Sequence, residues 1–153
     1  MLIVTTAVGS TRAGCLVGFH SQCGIDPAQY AVWLSKANRT FEIGVLADTF
    51  AVHFLDEQDR QLAELFGGVT GDDEDKFAEC AWHEGPQGVP LLDDCAARVT
   101  MRRVALHDPG GDHACFVLAP ATVATPDTFR PLASTSLGNL EAGHAPDERR
   151  LPD

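Results

Sequence analysis

No apolar run in this chain approaches the roughly 20 residues that cross a membrane as a helix. The amino terminus, MLIVTTAV, lacks the basic n-region and long apolar core of a signal peptide. Both absences point to a cytoplasmic protein with no membrane partner. Cations are scarce: Lys and Arg number 11 against 22 Asp and Glu, for a net charge of −11. A nucleic-acid partner is therefore excluded, because no basic stripe exists to neutralise phosphates. If the ligand is an anion, the few cations must gather where it binds. The five cysteines (Cys15, Cys23, Cys80, Cys95 and Cys115) are odd in number and scattered. That is no disulfide framework, and reduced, mostly buried thiols are expected. Cys-x-x-Cys spacing is missing too. Cys15 and Cys23 would share a face of a regular strand yet lie too far apart to chelate one ion, so no metal is expected. There is no internal repeat, no local signature of a cysteine nucleophile with a histidine base, and no Gly-x-Gly-x-x-Gly fingerprint from which to read a dinucleotide.

What the chain does have is a core. Hydrophobic residues make up 44% of 153 positions, enough for one domain and too many for a disordered chain. β-Branched and apolar runs predict strands at Leu2 to Val8, Cys15 to Ser21, Tyr30 to Ser35 and Phe50 to Leu55. Gly9 to Gly14 reads as the turn between the first two. Asn38 is a good N-cap for a helix to Ala47, with Phe41, Val45 and Leu46 at helical spacing. Asp56 caps a second helix, whose Leu62, Leu65 and Phe66 share a face and whose stop is Gly67-Gly68. An acidic solvated loop, Gly71 to Lys76, leads to a short helical turn from Asp75 to Cys80. Cys95 to Leu106 and His113 to Ala124 form a long hairpin around Asp108-Pro109-Gly110-Gly111-Asp112. A last weak strand is read within Arg130 to Leu140, and Glu141 to Asp153 reads as a mobile tail. The expected domain is thus 1–140 with a tail at 141–153. Six or seven short strands with two interspersed helices predict an all-β class: an antiparallel barrel, closed or nearly so, with helical caps.

Six ordered segments then carry a resemblance. Gly14-Cys15-Leu16-Val17-Gly18-Phe19-His20-Ser21-Gln22-Cys23-Gly24-Ile25-Asp26-Pro27 aligns without gaps to the flavin-contacting strand and loop of flavin reductases. Lys36-Ala37-Asn38-Arg39-Thr40 resembles their Lys-Ser-Ser-Arg-Thr, and Phe50-Ala51-Val52-His53-Phe54-Leu55 their Phe-Ala-Val-Asn-Val-Leu. Leu62 to Phe66 resembles the helix that follows, Gly88-Val89-Pro90-Leu91-Leu92 the Gly-x-Pro-x-Leu, and Gly111-Asp112-His113 the Gly-Asp-His. From Gly14 to His113 the chain is therefore similar to the flavin reductase family. Members usually carry a short helical segment before the strand that matches Leu2 to Thr6, so this start is abrupt against the family pattern.

The resemblance implies an FMN-binding split barrel, a homodimer with flavin near the subunit interface. It also implies NAD(P)H-dependent reduction of FMN or FAD, often to supply a partner monooxygenase. Hydride transfer of that kind needs alignment and phosphate neutralisation rather than an acid–base dyad. For the phosphate, the family positions are Lys36, Asn38, Arg39 and Thr40 at a helix start; the bland reading is an N-cap with two solvated charges. For the flavin ring they are Val17, Gly18, Phe19, His20, Ser21, Gln22 and Cys23. Leu16, Gly18, Phe19 and Gly24 stand where hydroxyls or an amide are usual, and His20 where Phe is. Backbone groups, Ser21 and Gln22 would have to compensate. By the resemblance His113 takes the catalytic place near the nicotinamide or the flavin ring, and His53 the flavin neighbourhood; without the resemblance each reads more readily as a structural or exposed histidine. Two other functions stay open: a flavin-binding or electron-carrier protein without nicotinamide reductase activity, and a split barrel with a changed ligand such as a deazaflavin or haem.

Overall fold

β1 (Leu2–Val8) explains how the molecule is layered. Its first five residues are all buried, which an ordinary half-exposed strand cannot achieve. Leu2 and Val4 point into one apolar cluster and Ile3 into another, so both faces of the strand are covered. In the computed structural model, which describes residues 1–68, 75–138, 140 and 143, β1 pairs with β2 (Thr11–Val17) across a tight turn at Gly9-Ser10. Gly9 has φ of +58°, the left-handed backbone that such a two-residue turn demands. The remaining strands are β3 (His20–Ile25), β4 (Ala28–Ser35), β5 (Thr49–Phe54), β6 (Trp82–Glu84), β7 (Pro90–Leu92), β8 (Arg98–His107) and β9 (His113–Ala124).

Seven of these form one antiparallel sheet in the order β2-β1-β5-β8-β9-β4-β3; β6 and β7 pair separately. β2 and β3 are consecutive in sequence yet lie at opposite edges, joined only by Gly18 and Phe19. Two linking residues reach roughly 10 Å. The sheet must therefore curl until its edges nearly meet, and the edges do not pair, which makes a split barrel. Its interior is filled by Leu2, Val4, Val32, Phe50, Phe116 and their neighbours, and plugged by Phe41 of α1 (Arg39–Leu46) and by Ala47, the C-cap of that helix.

Capping fixes both helices. Asn38 Oδ1 accepts from the Thr40 amide (2.9 Å) at the start of α1, and Arg103 Nη1 donates to the Gly44 and Val45 carbonyls (3.2 and 2.6 Å) at its end. Asp56 and Asp59 form a capping box in the 3-10 turn that leads into α2 (Arg60–Gly68). The buried Lys76 Nζ donates to Phe66 O near the end of α2 and to Gly14 O on β2 (3.0 and 3.3 Å). Phe66 lies so close to β2 that a Cβ on Gly14 would come within 2.8 Å of its ring; only glycine admits this packing.

Three sequence expectations are corrected. The strand read over Cys15 to Ser21 is two strands, broken at Gly18-Phe19, because the chain changes sheet edge there. The turn after β1 is shorter than Gly9 to Gly14, since β2 already begins at Thr11. Instead of a last strand, the described residues 130–138 hold a single bridge from Pro131 to Asp56 and a 3-10 turn at Ser134–Leu137. Proline has no amide to extend a ladder there. The thiols are all free; Cys15 and Cys95 are buried, Cys80 and Cys115 half-buried, and Cys23 exposed. The acidic loop at 71–74 and most of the tail beyond 140 lie outside the described residues.

Candidate functional site

The crossing at Gly18-Phe19 opens a pocket of about 430 Å³. Leu16, Val17, Gly18 and Phe19 form one wall, and Trp33, Leu34 and Ser35 of β4 the next. Phe66 and Gly67 of α2, with Leu137 from the last 3-10 turn, close the apolar end. The polar end is made by Asn38, which caps α1, and by Asp112 and His113 at the start of β9. Val17, Gly18, Phe19, Asn38 and His113, which the sequence singles out, thus meet here.

His113 is held from two sides. Its Nδ1 lies 3.0 Å from Asp112 Oδ1, and the Phe19 ring meets its own edge-on, centroids 5.3 Å apart. That bond also pulls the Asp112 carboxyl below its ordinary range. Phe19 is 64% exposed, a large aromatic face left open at the pocket mouth. Its backbone is nevertheless fixed, since its carbonyl accepts from the Trp33 amide (2.9 Å).

Other sequence candidates lie outside the pocket lining. Lys36 is buried and its Nζ sits 2.6 Å from Asp108 Oδ1; this ion pair holds the Asp108 carboxyl below its usual range. The Thr40 hydroxyl is buried beside the Cys15 thiol with no partner of hydrogen-bonding geometry. Burial pushes the Cys15 thiol up, against the opposing pull of Thr40 and Lys76. Arg39 opens α1. On β3, His20 Nδ1 meets Tyr30 Oη (2.7 Å) with the two rings stacked, and burial lowers its pKa, helped by the charged amino terminus. Ser21 Oγ donates to Gln22 O and Gln22 Nε2 to Gly24 O, so both are turned onto their own backbone. Gln22 and Cys23 border a separate surface depression at the bend of 22–26.

His53 is fully buried. Its Nε2 accepts from the Leu92 amide (3.1 Å), which leaves Nδ1–H to donate to Ile3 O (3.3 Å). With both nitrogens used, it stitches β7 to β5 and β1. Among the described residues, no three metal-ligating side chains converge.

Sequence reasoning missed Trp33, Asp112 and Phe66 as pocket residues. Asp112 had a signal, its place between Gly111 and His113. Trp33 and Phe66 had none, since an apolar residue on a strand or helix face reads only as core.

The family model described as "Flavin reductase like domain" matches residues 1–135. A "Probable flavin reductase" of Rhizobium meliloti is 32% identical over 98 residues, covering 61% of this chain and 30% of the relative. The reductase component of an FADH(2)-dependent resorcinol hydroxylase from a Rhizobium species is 29% identical over 134 residues, covering 86% and 73%. A solved NADH:FAD oxidoreductase of Streptomyces globisporus, in complex with NAD and FAD fragments, superposes with a TM-score of 0.74 at 22% identity, covering 85% of this chain and 77% of that one; this likeness concerns the fold. The chain spans about half the length of the curated relatives it matches, from 30% to 73%. The chain belongs to the flavin reductase like domain family.

Proposed function

We propose that this chain binds FMN or FAD in the pocket at the Gly18-Phe19 crossing and reduces it with NADH or NADPH. The observation that carries this reading is the convergence there of the end of β2, the start of α1 and His113. A volume of about 430 Å³ suits a ligand of cofactor size. The walls fit a flat, largely apolar ring: Val17, Leu34 and Phe66 cover faces, while Ser35 and the backbone around Gly18 offer polar groups at edges. The anionic end of a flavin nucleotide suits the amides that open α1, together with Asn38 and Arg39. Thr40 fits less directly, because its hydroxyl is buried against Cys15. A bound flavin supplies the hydride acceptor and the reduced nicotinamide the donor. The protein's part is alignment and exclusion of water, with Phe19 and His113 bordering the open side where a second ring would enter.

The sequence expectation that Lys36 meets the phosphate is weakened by its ion pair with Asp108. A homodimer is the proposed assembly. The outer half of β9, 120–124, is exposed, and Val123 presents apolar surface that a second copy would cover. Relatives named as reductase components of monooxygenases support a partner oxygenase that takes up reduced flavin. The cytoplasm, which keeps thiols reduced, suits the five free cysteines.

The direct test is oxidation of NADH or NADPH by the purified protein, followed at the nicotinamide absorbance. Addition of FMN or FAD should accelerate it, and no acceleration with either flavin would overturn the reading. His113→Ala should lower turnover by roughly tenfold or more while changing flavin affinity little. Unchanged turnover would return His113 to a structural role. One observation favours a second reading: Leu16, Gly18 and Phe19 bring no polar side chain to the ring. A protein that holds flavin but does not oxidise nicotinamide would be an electron carrier instead.

A further inference from the structure

Lys36 makes two bonds to the turn between β8 and β9. Its backbone amide donates to Asp112 O (2.8 Å), and its ammonium lies 2.6 Å from Asp108 Oδ1. This is no surface contact, since the Lys36 side chain is only 4% exposed and that of Asp108 20%. The same Asp108 oxygen accepts from the Gly110 amide (2.8 Å), so one carboxylate both shapes the turn and docks it. The strand ladders hold the turn at its base, where His107 pairs with Cys115 and His113 with Ser35, but its tip is open. Gly110 and Gly111 have no atom within 4 Å of where a Cβ would stand, and Gly110 adopts φ of +92°. At the far end of that turn, Asp112 grips the His113 ring.

We propose that Asp108 and Lys36 are a positioning pair, whose ion pair clamps the β8–β9 turn to the entry of α1 and thereby sets Asp112 and the ring of His113 to receive the nicotinamide nucleotide. Burial gives the pair its leverage. Removing the carboxylate strands an ammonium away from water, so Lys36 must move and the turn with it. The glycines then let the turn drift, and Asp112 no longer holds the imidazole in one orientation. The pair touches no ligand itself. It rests on the proposed function for the identity of that ligand, and on the geometry alone for the clamp.

Asp108→Asn tests it by two independent readouts. In the flavin-free protein, amide hydrogen exchange at Lys36 and Gly110 should quicken by roughly tenfold or more, with β4 amides such as Val32 unchanged. In the flavin-loaded protein, KM for NADH or NADPH should rise by roughly tenfold, the scale of a lost charge-assisted hydrogen bond, while the flavin Kd from fluorescence quenching stays within about twofold. Asp108→Glu, which keeps the charge, should recover most of that KM, and Lys36→Met should repeat the loss should Asp108→Asn fail to fold. Unchanged exchange would overturn the clamp. Faster exchange with unchanged KM would overturn its positioning role. A tighter flavin Kd would also overturn it, because Lys36 would then be a phosphate ligand restrained by Asp108. Wild-type protein that fails to oxidise either nicotinamide with either flavin refutes the proposed function instead; the exchange experiment still decides the clamp.

Discussion

Between pH 6.5 and pH 4 the folded chain should lose about 3 kcal/mol of stability through His53 alone. Its pKa is lowered from 6.5 to about 4 chiefly by burial; the Ile3 carbonyl opposes this, and Arg98 adds a smaller push downward. The folded state thus keeps the ring neutral where the unfolded chain binds a proton. Stability from this source is complete above about pH 6.5 and is lost as the pH falls toward 4. The chemistry agrees with the sign. A proton can enter only at Nε2, where it would confront the Leu92 amide that now donates to that atom. β7 would then come away from β5 and β1. Half-buried His20, also lowered by burial, acts in the same direction. The carboxyls of Asp56, Asp108 and Asp112 are held below their ordinary 3.8, so their contribution is lost only at lower pH. Urea unfolding at pH 7, 5.5 and 4 checks this, with His53→Gln as the control. The variant should be less stable at pH 7 and should show a much flatter decline; an equally steep decline would assign the acid sensitivity elsewhere.

Phe116→Ala should destabilise the fold by about 3–5 kcal/mol, against the roughly 5–15 kcal/mol that a folded domain commonly has. Phe116 is completely buried on β9, in the barrel interior. Its ring meets Phe41 of α1 edge-on at 6.1 Å and Phe50 of β5 at 5.5 Å, and a Cβ on Gly44 would touch it at 3.4 Å. The lost ring therefore leaves a cavity between the sheet and α1, where the surroundings cannot easily collapse. Because the start of α1 borders the pocket, flavin affinity should fall together with stability. Phe116→Leu should cost far less, since most of the volume is retained. Urea denaturation of both variants and a flavin titration test this; equal losses for Leu and Ala would rule out the cavity as cause.

Much of the fold was legible in the chain because its signals are local. The Asn38 cap, the Asp56 cap and the β8–β9 hairpin each depend on residues within a turn or two of one another; both caps stand where the pattern puts them, and the hairpin does too, except that β8 begins at Arg98 rather than Cys95. The breaks were harder. Nothing in Cys15 to Ser21 distinguishes one strand from two, because Gly18 and Phe19 are interrupted by a change of sheet edge rather than by a turn residue of their own. The terminal segment after Thr125 likewise offered apolar residues without saying that Pro131 would make only one bridge.

For the site, the sequence by itself determined the family, through six motifs in order, and the residue types available at the crossing and at His113. Only the tertiary structure decided which of those residues meet. Lys36, a scarce cation in an acidic chain, reads as a phosphate ligand, and nothing near it in sequence announces Asp108, which the fold sets beside it on the β8–β9 turn. His53 reads as a flavin neighbour by the resemblance, and its sequence surroundings give no sign that the Leu92 amide, 39 residues on, donates to its second nitrogen. A charge or a ring nitrogen is free or engaged according to what packs against it, and those partners come from distant parts of the chain. Spacing along a sequence encodes periodicity and caps; it carries no record of which buried groups have already satisfied one another.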